Sequence, residues 1–277
     1  MSDAAADDRE EMPAWSLSAE QAAMVPQPSW PSRITREWAW GGATGAGVRV
    51  AIVDSGIEAG HPGVGVVQQA VTIGDPDKNE VLVDEEGDLC GHGTACAGIV
   101  RSIAPESELA SVRVLGAGYT GSGPVLMAGL EWAVDNGFNL INMSLSTTKR
   151  QFSEFLHELA DDAYFNGTLI VASAHNMPVE SFPWRFSSVL SVGSHDRSGP
   201  LTFFYNPDPP VEFFAPGIDL DVPWLGGTTL RCSGNSFATP YMTGICALIL
   251  SKHPELTPFQ LKSVLHATAS NVEEDPE

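Results

Sequence analysis

Short apolar runs that break off on a polar residue constrain this chain more than any other feature. Arg49–Val53 stops at Asp54, and Thr168–Ala174 stops at His175-Asn176. Runs this short and this apolar suit strands buried on both faces of a parallel sheet. Glu108–Leu115, Leu140–Met143, Val189–Gly193 and Val211–Ala215 read as further strands. Helical stretches lie between them. Gly123–Asn136 carries Leu126, Leu130 and Val134 on one face, and Gln151–Asn166 ends at Gly167, a suitable residue just past a helix. Phe237–Leu250 is apolar enough for a buried helix of about four turns. Thr257-Pro258-Phe259-Gln260 reads as a capping box opening a helix to about Ala269. This alternation predicts an α/β fold: a mostly parallel central sheet with helices on both faces. The carboxyl ends of such strands are where open α/β sheets bind ligands, so Asp54 and Asn176 stand at candidate site positions.

Bulk properties narrow the function classes. The chain has 277 residues, 43% of them hydrophobic, which suits one large domain with a full core. Its 14 basic and 35 acidic residues leave a net charge of −21. Phosphate binding needs clustered Lys and Arg, so a nucleic-acid partner is not expected. The longest apolar run, near Gly244–Leu250, is too short to span a bilayer, so no membrane partner is expected either. Residues 1–31 read as an acidic, Pro-containing arm and 271–277 as an acidic tail. No basic start followed by an apolar core is visible, so a cytoplasmic protein is expected, with its four cysteines reduced. Their spacing fits no zinc site.

Three segments carry the chemistry. Asp54 lies in Val50-Ala51-Ile52-Val53-Asp54-Ser55-Gly56 and His92 in Cys90-Gly91-His92-Gly93-Thr94-Ala95-Cys96-Ala97-Gly98. Ser236 lies in Ser233-Gly234-Asn235-Ser236-Phe237-Ala238-Thr239-Pro240. Each also has a plain reading: Asp54 and Asn176 as turn residues, Ser236 as a helix cap. A carboxylate can fix an imidazole, an imidazole can activate a hydroxyl, and a helix start can direct its N–H at a developing oxyanion. A helix start also lowers a histidine pKa, so His92 is expected to be a weak, neutral base.

The Asp, His, Ser order and these strings resemble the subtilisin-like serine proteases over roughly residues 30–270. The resemblance implies a three-layer subtilisin-like fold, with residues 32–270 as the catalytic domain. It implies a serine endopeptidase working through an acyl-enzyme on a peptide or protein substrate, with no cofactor. In it Ser236 is the nucleophile, His92 the base, Asp54 its orienting partner and Asn176 the oxyanion donor. Gly121-Ser122-Gly123 and Ser144-Leu145-Ser146 resemble the two edges between which substrates lie as an added strand. Cys96 matches a free cysteine that the proteinase-K branch carries beside its histidine. Cys90 and Cys232 flank catalytic segments, which leaves a disulfide between them open.

The sequence departs from that family in several places. Asn235 stands where Thr is usual, Tyr241 where His is usual, His175 where Gly is usual, and Ser146 where Gly is usual. The loop Gly116–Gly121 is slightly extended and carries Tyr119, a candidate lid over the subsites upstream of the scissile bond. Met177–Pro183 is short and is expected to line the primary pocket, where Glu180 would favour a basic residue. No calcium is expected at the loop many relatives insert after the histidine, because Ile103 leads directly to Ala104-Pro105 and Gly63 replaces a ligand. Met24–Pro31 is a candidate inhibitory segment, since few residues precede the catalytic region. Two roles compete, cleavage of a leader or precursor peptide and general intracellular turnover. A catalytically weak scaffold and an esterase are the other readings.

Overall fold

The run Arg49–Asp54 forms strand β1, buried from Val50 onward. A strand so apolar needs neighbours on both edges, and it has them. It pairs in parallel with β4 (Glu108–Arg113) on one side and β5 (Leu140–Met143) on the other. The remaining strands of this sheet are β2 (Gln69–Ile73), β3 (Val81–Val83), β6 (Leu169–Ser173), β7 (Leu190–His195), β8 (Phe204–Tyr205) and β9 (Phe213–Pro216). This computed structural model describes residues 13–25 and 30–272. Among them the sheet has nine strands in the order β3-β2-β4-β1-β5-β6-β7-β9-β8. Only the edge strands β3 and β8 run antiparallel to their neighbours.

Seven helices are described: α1 (Ala19–Ala23), α2 (Arg36–Trp40), α3 (His92–Ile103), α4 (Gly123–Asp135), α5 (Ser153–Phe165), α6 (Asn235–Lys252) and α7 (Pro258–Thr268). Alternate residues of each strand point to opposite faces. Ala51, Val53, Ala110, Val112, Ile141, Met143, Ile170 and Ala172 share one core with Leu126, Leu130, Leu156 and Ala160 of α4 and α5. The other face is covered by α3 and α6, which pack on each other. The three-layer α/β reading therefore holds. A hairpin of β10 (Leu220–Trp224) and β11 (Thr228–Cys232) lies over α3. The expected strand Val211–Ala215 is shifted to Phe213–Pro216, and the helix expected from Gln151 begins with a 3₁₀ turn at Arg150–Phe152.

The chain divides into two units, Met1–Arg33 and Ile34–Glu277. In the first, Ser18 caps α1 with a capping box shared with Gln21. Of the candidate inhibitory segment Met24–Pro31, residues 26–29 lie outside the described residues.

Because β1, β5 and β6 are parallel neighbours, their carboxyl ends reach one edge of the sheet together. Asp54, Ser144 and Asn176 are thereby gathered, and α3 and α6 begin there with His92 and Asn235-Ser236. The far end of α3 is held by a guanidinium. Arg101 donates to the carbonyls of Val64 (2.8 Å), Val66 (2.9 Å), Pro105 (2.7 Å) and Ser107 (2.8 Å). A side chain at Gly63 would meet Pro223, whose Cγ lies 2.8 Å from where a Cβ would stand. The loop oxygens at this corner thus turn toward a side-chain cation, and no ligand-bearing residue fits at position 63.

Arg101→Met would strip four carbonyls of their donor, a loss of about 2 kcal/mol. The melting temperature is expected to fall by about 4–8 °C on that figure. A chelator is expected to leave the melting temperature of the unaltered protein unchanged. Thermal unfolding followed by circular dichroism checks both.

Candidate active site

Asp54 closes β1 with no exposed surface. Its Oδ1 accepts from the Ser55 N–H (2.8 Å), and both carboxylate oxygens accept from Nδ1 of His92 (2.8 and 2.9 Å). Donating from Nδ1 leaves the neutral imidazole's Nε2 as an acceptor, turned to the outside. Cys96 lies one helical turn further on, its Sγ 3.9 Å from His92 Nδ1, 3.9 Å from Asp54 Oδ2 and 3.7 Å from the carbonyl of Ser236. Burial pushes the Cys96 thiol up, so it is a neutral packing group near pH 7. Asp54, His92 and Cys96 are also the one trio among the described residues whose ligand atoms converge as a metal site would, within 4.8 Å. Nδ1 of His92, the Asp54 carboxylate and the Cys96 thiol already contact one another there.

His92 opens α3, and two features bring that helix this close to β1. Gly93 sits where a Cβ would be 2.1 Å from the carbonyl oxygen of Gly56, so only glycine allows the approach. The helix start has no cap from Gly91, and Asp88 supplies it from three residues before. Its buried carboxylate accepts from the N–H groups of Cys90 (2.9 Å), Gly91 (2.8 Å) and Thr94 (2.9 Å), and from the hydroxyls of Ser55 (2.8 Å) and Thr94 (2.6 Å). The sequence analysis missed Asp88. An acid four residues ahead of the histidine, with Thr two residues after it, was the available signal.

Ser236 stands in the first turn of α6, where helical N–H groups lack intrahelical partners. Its own N–H donates to nothing among the described residues. Pro240 has no N–H to return to the Ser236 carbonyl, which accepts instead from Ser144 Oγ (2.8 Å). Ser144 accepts in turn from Asn142 Nδ2 (3.0 Å), and Thr243 Oγ1 donates to Asn142 Oδ1 (3.0 Å). Asn176 Oδ1 accepts from the Asn235 N–H (2.9 Å), which leaves Nδ2 for the cleft. A Cβ on Gly234 (φ 159°) would lie 3.3 Å from Ser236 Oγ and 3.5 Å from Asn176 Nδ2. Glycine keeps that space open, and it is the space a developing oxyanion would use.

A cavity of about 390 Å³ joins these groups. His92, Ser236 and Asn176 line it together with Gly121, Ser122, Gly123, Ser144, Leu145 and Ser146, so the expected nucleophile, base, oxyanion donor and both substrate edges border it, while Asp54 lies buried behind His92. His92 and Ser236 make no direct hydrogen bond here, a gap common in unliganded sites that closes on substrate. Tyr119 stands edge-on to the His92 ring at 6.0 Å, in a loop held by Gly116 N–H to Thr120 O (2.7 Å) and by Tyr119 N–H to Cys90 Sγ (3.4 Å). Cys90 and Cys232 are both free thiols, so the disulfide left open by the sequence is not formed. Tyr241 packs against the cluster of Ala95, Ile99, Val222 and Phe237 and lies outside the cavity wall.

Two expectations need correction. None of Met177–Pro183 lines this cavity: Met177, Pro178, Val179 and Glu180 border a neighbouring one, Arg150 and Arg185 (2.9 Å) both pair with Glu180, and Lys149 lines the catalytic cavity. Nor is the His92 pKa lowered. Burial opposes the imidazolium, but the Asp54 carboxylate outweighs burial and the helix start, holding the pKa well above 6.5. A raised folded pKa means this pair's stabilisation is fully present below about pH 6.5 and is lost as pH rises through the raised value. Proton NMR of the His92 ring is expected to show titration above 6.5 in the intact protein. In Asp54→Asn the titration should move down, since burial is then no longer outweighed by the carboxylate.

Comparison with known proteins agrees with this geometry. The subtilase-family model matches residues 45–277. The chain is 32% identical over 246 residues to Subtilisin DY of Bacillus licheniformis, covering 83% of this chain and 86% of that protein. It is 32% identical over 243 residues to Subtilisin Savinase of Lederbergia lenta, with the same coverage of each. A crystal structure of a cold-adapted subtilisin-like serine proteinase superposes with a TM-score of 0.67 at 27% identity, covering 83% of this chain and 86% of that one. The matched residues 45–277 contain β1 through α7, and with them the carboxylate, imidazole and hydroxyl gathered at one sheet edge. The chain thus belongs to the subtilase family and is a subtilisin-type serine endopeptidase.

Proposed function

We propose that this protein cleaves a narrow set of peptides, such as a leader or precursor, with Ser236 as nucleophile. One observation carries the catalytic assignment: a fully buried carboxylate holds Nδ1 of an imidazole that shares a cavity with a helix-start serine. Ser236 Oγ attacks the scissile carbonyl carbon while His92 Nε2 takes its proton. The carbonyl oxygen becomes an oxyanion between the Ser236 N–H and Asn176 Nδ2. When the tetrahedral intermediate collapses, the C–N bond breaks and His92 returns the proton to the leaving amine. Water then repeats the sequence on the acyl-enzyme. Asp54 stabilises the imidazolium in each half.

The cleft walls support a narrow substrate. Ser146, Thr147 and His175 each line the wall. Thr147 and Phe182 exchange two backbone hydrogen bonds (2.9 Å each), which pins the loop before Pro183 against that wall. Tyr119 crowds the outer side of His92. A basic side chain before the scissile bond would find Lys149 and no free carboxylate. A cytoplasmic site of action is part of the proposal. Four free thiols and the absence, among the described residues, of any helix long and apolar enough to cross a membrane are compatible with it.

Labelling with a fluorophosphonate probe tests the nucleophile. The intact protein is expected to label and Ser236→Ala is not. Labelling only after removal of residues 1–31 would make the arm an inhibitor, and no labelling in any form would favour a scaffold. A peptide library tests the substrate: few cleaved sequences are expected, with no preference for Arg or Lys before the scissile bond. Broad digestion of an unfolded protein would overturn the narrow role in favour of general turnover.

A further inference from the structure

We infer that Asn235 is a positioning residue for the oxyanion-binding amide, and that it acts with His175 as one coupled device. The inference rests on the reading of Ser236 as nucleophile. Asn235 immediately precedes that serine, and its side chain points away from the cleft toward the sheet. Oδ1 accepts from the N–H of Ser194 (2.9 Å) and from Ser194 Oγ (2.8 Å). Nδ2 donates to the carbonyls of Ala174 (3.1 Å) and His175 (3.4 Å). Both donors and both lone pairs of the amide are therefore used. The backbone N–H of Asn235 holds Asn176 Oδ1 (2.9 Å), and its carbonyl accepts from Thr239 Oγ1 (3.0 Å). One residue thus ties the segment after β6, the strand β7 and the first turn of α6.

The segment it holds needs holding. Ala174, His175 and Asn176 lie past the last residue of β6. The carbonyls of Ala174 and His175 accept no other hydrogen bond among the described residues. The next side-chain amide is the one left facing the oxyanion space. Displacing a catalytic group by about 1 Å can cost about 100-fold in rate. A threonine, usual here in relatives, offers one hydroxyl proton and cannot serve Ser194 and two carbonyls together. His175, where relatives usually have Gly, is one of the two residues whose carbonyl Asn235 binds. The two departures are physically joined.

A double-mutant cycle tests this, with kcat and KM measured on a peptide amide well below the melting temperature. Asn235→Ala is expected to lower kcat about 10- to 100-fold with KM within about threefold. In an Asn176→Ala background the same change is expected to lower kcat less than about threefold, because the group it positions is gone. Equal fold losses in both backgrounds would reduce Asn235 to a structural residue and overturn the proposal. If Asn235→Ala does not fold, Asn235→Asp serves. It keeps the acceptor facing Ser194, loses the donor to Ala174 and His175, and is expected to show the same coupling. The joint role is tested by Asn235→Thr, whose kcat loss should be partly recovered by His175→Gly; no recovery would refute it. Fluorophosphonate labelling keeps the two readings apart. Absence in the unaltered protein would sink the serine assignment, whereas slowed but complete labelling in Asn235→Ala would leave it standing.

Discussion

A carboxylate with no exposed surface must be met by donors or give up its charge, and Asp54 sets that demand at the centre of this molecule. Its donors are the next N–H in the chain and one imidazole nitrogen. The imidazole reaches it only if α3 begins beside the end of β1, closer than any side chain at position 93 would permit. A helix start that close to a buried charge leaves N–H groups to be satisfied: Asp88 accepts from those of Cys90, Gly91 and Thr94 and from the Ser55 and Thr94 hydroxyls, and Ser55 Oγ accepts from the Gly93 N–H (3.0 Å). Two buried carboxylates thus face one short segment, Cys90–Thr94. One fixes the backbone of the helix start and the other fixes its first side chain.

The serine half of the site is built on neutral groups. Pro240 frees a carbonyl, Ser144 takes it up, and Asn142 and Thr243 complete a chain of hydroxyls and amides back into α6. No charge is buried there, so little electrostatic energy opposes its assembly. What it needs is register: Asn142 on β5, Ser144 just past it and Asn176 after β6 must arrive at the same height, which the parallel pairing of Met143 with Ala172 provides. Charge fixes the base and geometry fixes the nucleophile.

How much of this the sequence carries follows from the range of each interaction. Asp54 and Asn176 were legible because each follows a short apolar run, and His92 and Ser236 because each lies in a distinctive string at the start of a helical stretch; both signals are local. The mostly parallel sheet was legible for the same reason. The hairpin of β10 and β11 was not, because it is largely exposed and Pro223 breaks the short alternation of Leu220, Val222 and Trp224. Glu180 was misread because its partners, five and thirty residues away, neutralise it only once the fold brings them together. The sign of the His92 shift was misread because a helix start is visible in sequence, while a carboxylate thirty-eight residues away at 2.8 Å is not. The Arg101 cage and the role of Asn235 were invisible on the same ground.

The same distinction bears on how departures from a family pattern are weighed. Asn235, Tyr241, His175 and Ser146 look, one by one, like the erosion of an active site. Erosion leaves polar groups without partners, since nothing selects for their repair once turnover no longer matters. The buried side-chain atoms lacking partners among the described residues are Glu58 Oε2, Ser111 Oγ and Ser188 Oγ, and none of these residues borders the catalytic cavity. Next to Ser236, Asn235 uses all four positions of its amide, two of them on the backbone carbonyls of Ala174 and His175, and Tyr241 packs into an apolar cluster. A site whose substituted residue beside the nucleophile has every amide position met is intact around that nucleophile, which favours a working enzyme over a retired one.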